Sequence, residues 1–217
     1  SPQPTTTSPP PPPPPLTLQV TFTWSNFQNT IAQLDPKTQT LTPLYTQHFR
    51  PTKPQLRFYT TPATTTSSTP ETPFATGTIN HFSIAGTCTL LNNTNSTPTT
   101  IALQPLSRWK TKYNYLSPAL GDVPVSWTTS SSIKTWDFVC VNSETQSALA
   151  RFSVNVWGLK EIGRFVFLED GGAVSEALRD EVVVTGLTVL YVMAARMNSL
   201  GLFFGAFFAK TGRVEGD

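Results

Sequence analysis

VVVTGLTVLYVMAARMNSLGLFFGAFFA, Val182 to Ala209, is the stretch whose reading decides the fold. Its first half, Val182 to Ala195, is apolar on every face of a helix drawn through it and is interrupted only by Thr185, Gly186 and Thr188. A surface helix keeps a polar face, and this one has none, so it must be enclosed by the chain's own strands or by lipid. Residues 182 to 195 alone are shorter than the ~20 needed to cross hydrocarbon, and Arg196 would set a cation in the middle of any longer span. Enclosure by protein is the reading taken here. Upstream, SEALRDE supplies a helix start: Ser175 is the N-cap candidate, and Glu176, Asp180 and Glu181 lie near the positive end of the dipole. The expected helix covers about residues 175 to 197. Asn198, Ser199 and Gly201 then break the pattern, and a Phe-rich extension, 201 to 209, follows, with Lys210 behind it.

Working outward, the chain before this helix reads as strands. Leu16, Leu18, Val20, Phe22 and Trp24 alternate with Thr17, Gln19, Thr21 and Thr23, which is the period of a half-buried strand. Thr30 to Leu34 and Thr40 to Tyr45 flank DPKTQ, Asp35 to Gln39, and predict a hairpin. Shorter strands are expected at Leu56 to Phe58, Phe74 to Ile79, Phe82 to Leu90 (Phe82, Ile84, Cys88 and Leu90 on one side) and Thr100 to Leu103. Val125 to Thr128 and Lys134 to Val141 follow, the latter with Trp136, Phe138 and Cys140 inward. Ala148, Ala150, Phe152, Val154 and Val156 then alternate with polar and bulky neighbours, and Arg164 to Leu168 supplies a last strand. Ten to twelve closely spaced strands and one terminal helix predict a mainly β fold, a closed or nearly closed antiparallel sheet with the helix inside or against it.

Composition agrees. Of 217 residues only 13% are charged, which suits a β-rich chain, and a net charge of +2 does not point to nucleic acid. Residues 1 to 15 are almost wholly Ser, Thr and Pro, ending in seven prolines, and are expected to be an extended, disordered tail. Such a tail is either a plain leader or a ligand for an SH3- or WW-type groove. One domain is expected from residue 16 to 210, with 211 to 217 a short tail. Cys88 and Cys140 are the only cysteines and read as two buried reduced thiols. With no basic stretch leading into an apolar one at the N-terminus, an intracellular location is expected.

Catalytic signatures are missing: no phosphate-binding loop, no nucleophile elbow, no H-E-x-x-H and no C-x-x-C. His48 and His81, the only histidines, have no second ligand or nucleophile at a telling spacing. A non-enzymatic protein without cofactor or metal is expected. The segment from Arg108 to Tyr115 carries the one functional pattern. Trp109, Thr111, Tyr113 and Tyr115 fall on one side of a strand and Arg108, Lys110 and Lys112 on the other, a basic ladder. Alternation alone produces such a solvated face. Equally, clustered cations can hold anionic head groups, contributing ~1 kcal/mol each at a charged membrane surface. Lys134, Lys160 and Arg164 could join the ladder if the barrel brings their strands together.

Three segments, WTTSSSIKTWDFVCVN, ALARFSVNVWGLKEIGRFVFLED and LRDEVVVTGLTVLYVMAAR, resemble fungal members of the tubby C-terminal-like superfamily, which includes LURP-one-related proteins and phospholipid scramblases. The resemblance covers residues 125 to 197 best. It implies a twelve-stranded β-barrel closed around a hydrophobic C-terminal helix, and it implies lipid contact: a binding module for anionic phospholipid at an intracellular membrane surface, expected to be monomeric. The tubby cations do not map onto this chain position by position, and the Phe-rich extension departs from the family pattern. The alternatives are a protein-interaction scaffold working through the Pro-rich tail, and a C-terminally anchored membrane protein.

Overall fold

A computed structural model describes residues 14–61, 72–80, 84–91, 97–107, 110–132, 135–155, 160–168 and 174–196. The Pro-rich leader, the Phe-rich extension and the C-terminal tail lie outside these.

Twelve strands form one closed antiparallel barrel around a single helix. They are β1 (Thr17–Thr23), β2 (Gln28–Leu34), β3 (Leu41–Phe49), β4 (Leu56–Thr60), β5 (Ala75–Asn80) and β6 (Ala85–Leu90), then β7 (Thr99–Ser107), β8 (Lys110–Ser117), β9 (Val123–Ser132), β10 (Thr135–Asn142), β11 (Ala148–Val154) and β12 (Glu161–Phe167). Each strand pairs with its neighbour in sequence, and β1 closes the ring on β12 through pairs such as Leu18 with Phe165. Closure removes the unpaired edges that an open sheet would present. Alternation sets the inside: in β1, Leu18, Val20 and Phe22 are buried while the threonines and Gln19 between them are not.

The helix, α1 (Glu176–Arg196), fills the barrel, and every residue from Glu181 to Ala194 is buried. Ser175 caps it, its Oγ accepting from the Leu178 N–H at 3.2 Å. The three interruptions of the apolar run each have a role. Thr185 Oγ1 donates to the Glu181 carbonyl at 2.7 Å and accepts from Trp127 Nε1 at 3.0 Å. Thr188 Oγ1 donates to the Val184 carbonyl at 2.7 Å and accepts from Cys88 Sγ at 3.3 Å. A Cβ on Gly186 would stand 2.8 Å from the Phe165 ring and 3.0 Å from that of Trp127. On the other side Gly77 and Gly86 let α1 approach β5 and β6: a Cβ on Gly77 would meet Thr188 Oγ1 at 2.6 Å.

Two turns share one construction. In DPKTQT, Asp35 Oδ1 accepts from the N–H groups of Lys37 (2.8 Å) and Thr38 (3.1 Å), and Gln39 sits at φ 57°. In NSETQS, Asn142 Oδ1 accepts from Glu144 (2.9 Å) and Thr145 (3.2 Å), and Gln146 sits at φ 59°. An Asx side chain that mimics a backbone turn fixes the β2–β3 and β10–β11 hairpins alike.

One detail differs from the sequence expectation. β6 begins at Ala85, not Phe82; Ile84 lies in the preceding turn at φ 56°, so the inward positions of this strand are Gly86 and Cys88. β8 begins at Lys110; Arg108, Trp109 and Phe82 lie outside the described residues. β10 keeps the expected inward face: Phe138 and Cys140 are buried, and Trp136, half-buried, packs against the core beside Phe138.

Candidate functional site: two mouths of opposite charge

The direction of α1 gives the barrel two distinct ends. At the proximal mouth, where the helix starts, Asp180 and Glu181 meet Tyr45 of β3 and the 3-10 turn Pro118–Leu120. At the distal mouth, where it ends, Tyr191 stacks on Phe49 with ring centroids 5.6 Å apart, and Tyr113 Oη donates to Met193 Sδ at 3.7 Å. Because the strands run up and down, the turns fall alternately at one mouth and the other.

Charge follows the same division. Among the described residues the proximal mouth holds Asp35, Asp122, Glu144, Glu176 and Asp180, with Glu181 just inside, against Lys37 and Arg179. The distal mouth holds Arg50, Lys53 and Lys160 outside the strands and Arg57, Lys110 and Lys112 near strand ends, against Asp137 and Glu161. Arg151 and Arg164 sit at mid-height. The barrel is therefore negative where the helix enters and positive where it leaves.

The sequence-predicted cations fall into this frame as follows. Lys110 and Lys112 lie on β8, and Lys112 pairs with Thr128 of β9. Lys160 directly precedes β12, its carbonyl accepting from the Phe22 N–H at 2.8 Å, and is exposed. Arg164 pairs with Gln19 of β1 and is tied to Glu161 through two bonds of 2.6 and 3.1 Å, which neutralises it locally. Arg108 and Lys134 lie outside the described residues. The barrel does not make the two cation sets neighbours in the sheet, because β9, β10 and β11 stand between β8 and β12. What Lys110, Lys112 and Lys160 share is a rim. Two large apolar side chains stand out on the β7–β8 face, at opposite ends: Leu106, 54% exposed, near the distal rim, and Leu116, 58% exposed, next to the proximal mouth.

At the same rim Asn26, Phe27, His48, Phe49, Arg50 and Pro51 line an open groove of about 680 Å³ whose walls are mainly apolar. Phe27 sits at φ 48° and is 40% exposed. Directly beneath, Asn29 Nδ2 donates to Gln47 Oε1 at 2.5 Å and to Tyr191 Oη at 3.0 Å.

The proximal mouth contains the titratable groups that sequence reasoning missed. Glu181 is fully buried; its Oε2 accepts from the Ala119 N–H at 2.9 Å, while Oε1 and the nearby Ser117 Oγ have no hydrogen-bond partner among the described residues. Burial pushes this carboxyl up, and the Ala119 N–H partly offsets the rise. Asp180 accepts a short hydrogen bond from Tyr45 Oη, which also accepts from Arg179 Nε at 2.5 Å. Burial raises both Asp180 and Tyr45. The free thiols of Cys88 and Cys140 are buried, and burial pushes Cys88 up to about 12. A thiol so shifted stays protonated at neutral pH and is inert. Only local pattern was available to mark these groups: Thr185 and Thr188 as breaks in an apolar run, and two carboxylates ahead of it. Among the described residues no three His, Cys, Asp or Glu side chains converge as a metal site, and no helix is long and apolar enough to cross a membrane. Compared with protein-family models, curated proteins and solved structures, the chain matches none.

Proposed function

We propose that this protein is a non-enzymatic binding module that contacts anionic phospholipid head groups at an intracellular membrane surface. The observation that carries the reading is the separation of charge between the two mouths, with Lys53, Lys160, Arg50, Lys110 and Lys112 around one rim. A flat anionic surface meets one end of a barrel more readily than its side, and cations gathered on one rim act together, each contributing ~1 kcal/mol within about a Debye length. Exposed Leu106, near the same end of β7, gives the rim the mixed character of an interfacial contact. The resemblance to tubby-like proteins belongs to the same proposal: a barrel closed on an apolar C-terminal helix, with lipid as the ligand.

The test is sedimentation of the full chain with vesicles containing phosphatidylserine or a phosphoinositide, against vesicles of phosphatidylcholine alone. Binding to the anionic vesicles at low salt is expected, weakening as salt rises. Lys53→Glu with Lys160→Glu weakens it at least tenfold, because two charges are reversed at ~1 kcal/mol per charge, whereas Lys37→Glu at the other mouth leaves it unchanged. Failure of the wild-type chain to sediment with either anionic vesicle overturns the reading.

A further inference from the structure

The two mouths complement each other in charge and share an apolar component. Among the described residues the distal rim exposes Arg50, Lys53 and Lys160, and the proximal rim exposes Asp35, Asp122, Glu144 and Glu176. Each rim also exposes large apolar side chains, Phe27 and Leu106 at the distal end, Leu41 and Leu116 at the proximal end. The proximal end holds a cleft of about 420 Å³, lined by the apolar Phe74, Leu90, Pro118 and Ala177 together with Glu176 and Asp180. Arg179 balances one of these carboxylates through a 3.0 Å bond to Glu176; Asp122 and Glu144, on the turns after β8 and β10, keep the mouth negative. A lysine suits such a cleft, since its stem is apolar and only its tip is charged.

We infer that the proximal mouth of one molecule receives the distal mouth of a second copy of this chain, with a rim lysine of that copy entering the cleft beside Glu176 and Asp180. Like mouths do not pair, because that sets cation against cation or carboxylate against carboxylate. A head-to-tail contact joins two different patches, so each end of an assembly keeps one mouth free. The mouths lie at opposite ends of the barrel, so successive copies line up and the assembly grows as an open row instead of stopping at a dimer. Exposed charges hold the row, and salt therefore dissolves it to the monomer that the tubby-like resemblance implies. Self-association of this kind does not depend on lipid binding, although both use the distal rim.

The test is analytical ultracentrifugation of the full chain without lipid. At ~0.01 M salt, where charges act over ~30 Å, the average mass is expected to climb from 23.8 kDa past that of a dimer as protein concentration rises; at ~1 M salt, where they act over ~3 Å, it stays at the monomer value. Lys53→Glu with Lys160→Glu, and separately Glu144→Lys with Glu176→Lys, set like charges across the junction, and each pair is expected to need roughly tenfold more protein to reach the same mass. Mixed in equal amounts, the two variants are expected to associate again, because the intact proximal mouth of the first meets the intact distal mouth of the second. Wild-type protein that stays monomeric at low salt overturns the inference. So does association that strengthens with salt, which is apolar, or that stops at a dimer, which is pairing of like mouths. Variants as thermally stable as wild type that do not recover on mixing overturn it too; if a reversed pair fails to fold, Lys160→Gln, expected to weaken association by a smaller factor, takes its place, and an unchanged mass then counts against the row. Vesicle sedimentation keeps the two readings apart: a low-salt monomer that binds anionic vesicles loses only the row, and a row-forming protein that binds none loses only the lipid.

Discussion

Trp127 on β9 and Thr185 on α1 are joined by a hydrogen bond of 3.0 Å between fully buried side chains, one of several that tie the helix to the barrel wall. Thr185 both accepts from the indole and donates to the Glu181 carbonyl. Thr185→Val keeps shape but leaves the indole N–H buried without an acceptor, so a loss of about 1–3 kcal/mol is expected in urea unfolding. Thr185→Ser, which keeps the hydroxyl, should lose clearly less; equal losses would show that the hydrogen bond is not what matters there.

Gly186, next to that bond, is a point where helix and wall approach closely. A side chain here collides with Phe165 and Trp127, both rigid rings held by neighbours, since Phe165 stacks on Phe152 at 4.0 Å. Gly186→Val is expected to cost more than the ~1–3 kcal/mol typical of overpacking, or to prevent folding. Gly121→Ala, with nothing within 4 Å of its Cβ but at φ 72°, should cost only about 1 kcal/mol. Thermal melts of the pair rank the two effects.

Glu181 makes stability depend on pH in a definite direction. Its carboxyl titrates higher in the folded protein than the ordinary value of 4.5, so the folded state holds the proton more tightly. Its contribution is fully present below the unfolded value and is lost as pH rises through the folded one, so stability falls across that interval. Asp180 acts in the same sense. Glu181→Gln, whose amide oxygen can still accept from the Ala119 N–H, should flatten the decline, measured as unfolding free energy from about pH 4 to pH 8. A wild-type curve that rises over that range would contradict the buried, raised carboxyl.

The two Asx turns make a paired prediction. Asp35→Ala and Asn142→Ala each remove two hydrogen bonds from backbone N–H groups to a side-chain oxygen at exposed turns, and each should lower the midpoint of urea unfolding slightly and by a similar amount. Asp35→Asn is expected to be nearly neutral, since Asn142 performs the same task. Unequal alanine losses would show that the shared geometry does not carry shared energetics.

Much of this architecture could be read directly because burial inside a barrel leaves a period-two trace. Leu18, Val20 and Phe22, or Phe138 and Cys140, announce their strands, and the absence of any polar face on Val182 to Ala194 announces the enclosed helix. Turn chemistry marked DPKTQ. The turn at Ile84 was hidden because a β-branched residue at positive φ leaves no compositional sign, and the strand was drawn through it. The polar interior was hidden for a different reason. Asn29 and Tyr191 are 162 residues apart and Trp127 and Thr185 are 58 apart, so no local pattern links them. The basic ladder was visible as alternation, but the gathering of Lys53, Arg50 and Lys160 on its rim depends on which ends of which strands coincide, and that is settled only when β1 meets β12.

That closing seam sets the order in which the molecule can be made. β1 precedes the other eleven strands of the barrel, its seam partner β12 follows more than a hundred residues later, and the helix that fills the lumen follows all twelve. Pairings this distant in sequence are slow, and a nascent chain must hold eleven hairpin contacts around an empty centre until its plug arrives. The nascent barrel therefore remains a splayed ribbon exposing Phe58, Phe138 and Phe152, and the interval between translating β12 and releasing α1 is when it most needs a chaperone.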